Sequence, residues 1–306
     1  MNVLLLAVSM LACLGGTVIR KYVEVRLSDK QRMHYAMSAV VSASSGLALL
    51  VIAFVTGTGL QASLFTVLVG ILFGAVTALQ QIFNLRALQF GPMSYTSVIV
   101  SLSMIVPALS GYFIWDEELR PLQLVGLVLI IVCIILSVDQ SRDGEKQNAS
   151  GKSFPRWILS VAITFACTGA IGILQKWHQK TVGDAESAAF LIIAFAFSFL
   201  YSAGGVLLLS RGSSIEKLGP ALRKNLTPLL FALMCVGGLC AALNNKLNLY
   251  LSGVIDSAVF FPVVNGGGLI LSLLAAVLLF RERLPLRKWI GIGVGFAAIL
   301  CLCIQI

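Results

Sequence analysis

Ten separate stretches of about 20 mostly apolar residues, each long enough to cross the hydrocarbon core of a bilayer as a helix, run through this chain. They are Asn2–Ile19, Met33–Thr56, Ala62–Leu88, Met93–Trp115, Leu122–Val138, Trp157–Lys176, Ser187–Ser210, Leu226–Leu251, Val254–Phe280 and Trp289–Gln305. A chain so patterned has little choice of fold. Lipid offers no partner to a backbone amide, so each spanning segment must satisfy its own hydrogen bonds as a helix. The expected fold is an all-α polytopic membrane protein with ten transmembrane helices. Composition agrees: 58% of the 306 residues are hydrophobic and 11% charged, outside the range of soluble domains. The short gaps Trp115–Leu122 and Leu251–Val254 imply tight hairpins. The first stretch lacks a basic n-region and a small-residue cleavage site, so it reads as a retained helix, not a signal peptide.

The net charge of +9 is explained by its placement. When the loops are assigned alternately to two sides, eighteen of the 22 Lys and Arg fall on one side. Only Arg120, Lys176, Lys180 and Lys246 are left for the other. The positive-inside rule makes the rich side cytoplasmic and both termini extracytoplasmic. The basicity is thus a topology signal and excludes nucleic acid as the partner; the lipid bilayer is one partner and a small-molecule substrate the other. Compact loops and short termini suit a bacterial cytoplasmic (inner) membrane. Trp115, Trp157, Trp177 and Trp289 lie near span ends, where interfacial aromatics collect.

The chain contains an internal echo. The polar stretch 140–156 sits near its middle and reads as a cytoplasmic linker, separating a first repeat, 1–139, from a second, 157–306. Ala12–Gly15 (ACLG) recurs as Ala166–Gly169 (ACTG), and Ala78–Leu85 (ALQQIFNL) as Ala242–Leu249 (ALNNKLNL). The spacing Glu117–Leu119–Gly126 recurs as Glu282–Leu284–Gly291. Three matches in one order indicate duplication. Five helices is an odd number, so the second copy must lie upside down relative to the first. Inverted repeats of this kind place a binding site near the midplane, exposed alternately to each side.

On these residues the chain resembles the drug/metabolite transporter superfamily, and within it the EamA-like ten-helix transporters. The strongest elements are the duplicated five-helix unit and the Glu-x-Leu-(x)6-Gly signature at Glu117–Gly126 and Glu282–Gly291. The resemblance implies a secondary exporter or permease of small organic solutes such as metabolites, amino acids or drugs. It also implies a central cavity lined chiefly by the third, fourth, eighth and ninth spans. The first span, with ACLGGT at Ala12–Thr17, also looks like that of the small multidrug resistance relatives. Their membrane glutamate is replaced here by Cys13, and its repeat counterpart is Cys167. A cationic drug would therefore lack its usual counter-charge.

Polar residues deep in spans cost free energy unless they face one another or a cavity. Thr77, Gln81 and Asn84 share one face of the third span, with Gln80 beside them. Asn244, Asn245 and Asn248 hold the matching positions of the eighth, with Lys246 added. These amides are read either as substrate-binding lining or as interhelical glue. Lys246 is expected to snorkel, to pair with Asp256, or to bind an anionic or zwitterionic solute. Asn265, in FFPVVNGGG beside Pro262, is the leading single substrate contact; alternatively it bonds a carbonyl freed by Pro262. Pro107 marks a second hinge. Glu117 and Glu282 are expected to cap or pair in tight turns.

Signatures of catalysis are scarce: no HExxH, no GxxxxGK[ST], no GxSxG. The expectation is no enzyme, no cofactor and no metal site, and with no P-loop any active transport is secondary, its coupling ion unnamed. The seven cysteines, all within spans, read as packing residues. A lipid-headgroup flippase and a non-transporting scaffold or accessory subunit are the alternatives.

Overall fold

A computed structural model describes residues 2–26, 30–57, 60–90, 93–137, 154–210, 227–280 and 285–303. Glu282, Arg281 and Arg283, and almost all of the linker, lie outside them. The described residues form helices α1 (Asn2–Arg26), α2 (Lys30–Thr56), α3 (Leu64–Phe90), α4 (Met93–Leu102), α5 (Ile105–Trp115) and α6 (Pro121–Leu136). Then follow α7 (Phe154–Val182), α8 (Ser187–Ser210), α9 (Pro228–Val254), α10 (Ser257–Phe280) and α11 (Leu286–Cys303). Among the described residues there is no strand. Ten apolar spans account for eleven helices because the fourth is broken.

That break has a local cause. Pro107 has no N–H for the carbonyl of Ser103 and its ring crowds that carbonyl, and the chain turns at Ser103–Met104 between α4 and α5. Bonds of the tighter i→i−3 kind bridge the turn, Ser103 N–H to Val100 O at 3.1 Å and Val106 N–H to Ser103 O at 3.1 Å. The apolar pattern of Met93–Trp115 reads as one continuous helix; the proline splits it. Pro262, by contrast, is accommodated inside α10. The hairpin after α5 turns on Asp116, whose φ of 51° is left-handed. From there Pro121 opens α6, and Gln123 Oε1 accepts the Arg120 amide at 3.1 Å, as helix N-termini favour.

The chain divides into two compact units, Met1–Ala78 with His178–Tyr250, and Leu79–Trp177 with Leu251–Ile306. In the first, α2 and α8 make the principal contact, through small polar residues. Ser42 meets Ser198 at 2.9 Å and Ser38 meets Ser202 at 3.0 Å. Gly70 and Gly74 let the start of α3 close on Ile193 and Phe197 of α8. Ser45 donates to the Gly238 carbonyl of α9 at 2.8 Å, and Val23, Met37 and Met234 form an apolar core between α1, α2 and α9. In lipid, where burying apolar surface gains nothing, such close approach and interhelical hydrogen bonding hold helices together.

In the second unit α6 lies along α11. The two signature glycines meet there: a Cβ at Gly126 would fall 2.6 Å from Leu302 of α11, and one at Gly291 would fall 3.1 Å from Leu136 of α6. The recurring glycine is therefore a packing requirement. Cys133, Ile270 and Ile292 fill the core between α6, α10 and α11, while Gly169 and Gly172 of α7 close on Val106 and Pro107 of α5. Outward faces are apolar, with Phe54 at 89% and Leu278 at 76% exposure. A surface of that kind faces lipid.

Candidate functional site

The polar residues singled out above divide between the two units. In the first, α1 and α9 bring Ser9, Asn244 and Asn248 together. The fully buried Ser9 hydroxyl lies 3.0 Å from Asn244 Oδ1 and 2.5 Å from Asn248 Oδ1, and Asn248 Nδ2 reaches Asn244 Oδ1 at 3.4 Å. One hydroxyl proton serves only one acceptor at a time; with Ser9 donating to Asn248, the Asn248 amide in turn serves Asn244. Asn245 is spent on its own helix, Nδ2 donating to the Ala241 carbonyl at 2.9 Å. Lys246 is half-buried and, among the described residues, has no salt bridge; the described bridge is made by Lys176 and Glu117.

In the second unit Gln81 and Asn84 are half-buried on α3 and, among the described residues, form no side-chain hydrogen bond. Nearer the start of α3, in the first unit, Thr77 Oγ1 is buried without a partner among them. Asn265 is exposed although it lies eight residues into α10, about 12 Å at 1.5 Å per residue. Its Nδ2 donates to the Phe261 carbonyl at 2.8 Å. The carbonyl freed by Pro262 belongs to Ala258, four residues earlier, so Asn265 does not repair the proline defect. Its Oδ1 takes part in no hydrogen bond among the described residues.

Two arrangements escape a reading of the sequence. Lys176, which the sequence shows only as an outer-side cation, is wholly buried. Its ammonium donates to Glu117 Oε1, to Ser257 Oγ at 2.6 Å and to the Ile255 carbonyl at 3.5 Å, with the Trp115 ring 5.3 Å away. Glu117 Oε2 accepts the Ser257 amide at 2.7 Å at the head of α10, so Glu117 both pairs and caps, with partners from other helices. A lone cation at the end of an apolar span is the available signal.

The second lies in the first unit. His178, also buried, stacks on Phe190 with centroids 4.2 Å apart, and its Nε2 meets Thr66 Oγ1 at 3.0 Å. Nδ1 is buried and without a partner among the described residues. Nearby, Ser63 offers its amide at 2.9 Å and its hydroxyl at 2.7 Å to Glu186 Oε2. Hydrogen bonds from Thr66, then from Ser63, hold the Glu186 carboxyl below its ordinary value.

At the end of α2 a groove of about 660 Å³ is lined by Leu50, Val51, Ala53, Phe54, Gly57 and Leu60. Its wall is mostly hydrocarbon. Among the described residues no cluster of His, Cys, Asp and Glu is placed to hold a metal ion.

Apolar outward faces and polar side chains gathered within the spans define a polytopic α-helical integral membrane protein. Residues 1–138 match the EamA-like transporter family, a family of membrane transporters of small solutes, in agreement with the drug/metabolite transporter superfamily read from the motifs. An uncharacterized protein of Haemophilus influenzae is 23% identical over 229 residues, which cover 71% of this chain and 68% of that one. A crystal structure only 13% identical in sequence shares the fold over 99% of both chains, with a TM-score of 0.69.

Proposed function

We propose that the chain is a secondary transporter, an exporter or permease, of small polar or amphipathic organic solutes, working by alternating access with Asn265 at the binding site. The observation that carries this reading is the state of the amides. Gln81, Asn84 and Asn265 lie within apolar spans, half-buried or exposed, with hydrogen-bonding capacity left over. An amide facing hydrocarbon in that state costs about 1–3 kcal/mol or more; facing a hydrated path it costs little and offers donors and acceptors to a solute. Asn244, Asn248 and Ser9 add a second polar cluster on α1 and α9, and Lys246 adds a cation on α9 for an anionic or zwitterionic solute.

The duplication supports the same reading. α2 with α8, α6 with α11, and α5 with α10 are all contacting pairs, and each joins a helix of residues 1–139 to its counterpart in 157–306. An element touches its own symmetry mate only where it lies against the axis relating them. Three such pairs are what two inverted five-helix repeats produce. The groove on α2 is mostly apolar and displays no charged side chain for a lipid headgroup among its described lining residues, so the flippase reading gains little from it.

The test is a thermal-shift screen of the detergent-purified protein against amino acids, nucleosides, sugar phosphates, amphipathic drugs and lipid headgroups, repeated with Asn265→Ala. A solute that binds the folded state raises its melting temperature. The expected result is a hit in one solute class that weakens by about two- to tenfold in the variant, one lost hydrogen bond being worth about 0.5–1.5 kcal/mol net. A hit unchanged by Asn265→Ala would displace the site from α10; no hit in any class would count against transport of soluble solutes.

A further inference from the structure

We propose that α5 and the head of α10 are the two arms of a gate on the transport path, and that Lys176, Glu117 and Ser257 are its latch. The proposal rests on the reading of the chain as a transporter.

The arms are separately hinged. α5 is bounded at one end by the Ser103–Met104 turn that Pro107 enforces and at the other by the left-handed Asp116. The head of α10 runs six residues from Ser257 to Pro262, where the helix lacks one backbone hydrogen bond. Eight residues from the latch, on the same helix, stands Asn265. Beside both arms lies the end of α7, whose Gly169 and Gly172 seat Val106 and Pro107 of α5 at close range.

The chemistry at the junction suits a fastening that opens. One carboxylate receives the Lys176 ammonium on one oxygen and the Ser257 amide on the other, while the same ammonium holds Ser257 Oγ and the Ile255 carbonyl. Glu117 lies just past the end of α5, and Gly111 leaves it the space a Cβ would fill. Along their length the arms pack directly, α5 against α10; at the junction itself they are fastened by polar contacts that water can replace. The latch is shut but not sealed: Lys176 is 0% exposed, Glu117 11%. Glu117 comes from the first half of the sequence and Lys176, Ile255 and Ser257 from the second, so the latch is a bond between repeats. α2–α8 and α6–α11 also join the halves, but through glycine- and serine-lined helix faces along their length. A change of access is therefore cheapest where hinges and exchangeable contacts coincide, and that is here.

The experiment places a reporter in the latch. Ser257→Cys keeps the backbone amide that Glu117 accepts, and the parent chain, whose seven cysteines all lie in spans, gives the blank. A charged maleimide is applied to the detergent-purified protein, and labelling is followed against temperature. A gate opens without unfolding, so the introduced thiol is labelled to completion well below the melting temperature. Glu117→Gln, added to the same chain, removes the carboxylate charge that the buried ammonium holds at the latch and speeds labelling by about tenfold or more while the chain stays folded. Labelling of that thiol that appears only with global melting would overturn the proposal and make the cluster a permanent brace. If Glu117→Gln does not fold, the temperature dependence of labelling in the Ser257→Cys chain alone decides. No solute is needed, so a failed gate leaves the transport reading to the solute screen.

Discussion

A single side chain changes meaning with the partners its neighbours supply. Glu186 sits outside the apolar spans, and hydrogen bonds from Thr66 and Ser63 stabilise its ionised form. Its proton is held less tightly in the folded chain than in the unfolded one, so its contribution is complete above the ordinary value of 4.5. It declines below that value and is lost as pH falls through the folded pKa. Glu186→Gln is therefore expected to lower the melting temperature at neutral pH, modestly because the carboxylate reaches solvent. The difference from the parent should shrink below about pH 4.5 and vanish at lower pH. A difference independent of pH in melting curves would show that the side chain acts by packing, not by charge. The sequence displays Glu186 only as a loop acid, because its donors lie on a segment more than a hundred residues away. Lys176 is obscured for the same reason. Its position at a span end is visible, but its burial follows from Glu117 and Ser257, which no local pattern connects to it. The amides fare better. Asn265 stands out wherever an apolar run is read, since isolation in lipid is itself the signal.

At the scale of helices, the recurring Gly126 and Gly291 are legible as a repeat but not as a contact, since a glycine's use depends on what comes close to it. Gly126→Ala directs a methyl at Leu302, and overpacking of this kind costs about 1–3 kcal/mol. A clear fall in melting temperature is expected, and trimming Leu302 to Ala in the same chain should recover part of it. If Gly126→Ala melts like the parent, α6 and α11 are not in the close register described. Spans themselves read well because length and polarity suffice to define them. The fourth reads as one helix even with Pro107 in plain view. Proline forbids one hydrogen bond; whether the helix runs on through it, as α10 does at Pro262, or breaks is settled by packing that the sequence does not display.

For the whole molecule, the compact units do not follow the sequence halves: each unit takes segments from both. Two halves sewn together by α2–α8 and α6–α11 cannot part as blocks without exposing serines and glycine-lined helix faces along whole helices. This moves the expected site of motion from the halves, as a simple inverted repeat suggests, to hinged segments within them. Orientation in the membrane is a matter of charge. Assigning the loops alternately to two sides puts eighteen of 22 Lys and Arg on one, and ten spans would bring both ends of the chain to the other, so both termini are expected outside the cytoplasm. A reporter enzyme active only in the cytoplasm, fused after Ile306, should be silent, and one active only outside it should work. The reverse result would require an opposite placement of every loop, put Lys176 and the latch on the cytoplasmic side, and make the gate face the cell interior. Because the latch needs only its own hinges and partners, the Ser257→Cys chain would still be labelled, and the side from which an impermeant maleimide reached its new thiol in sealed vesicles would give the orientation independently.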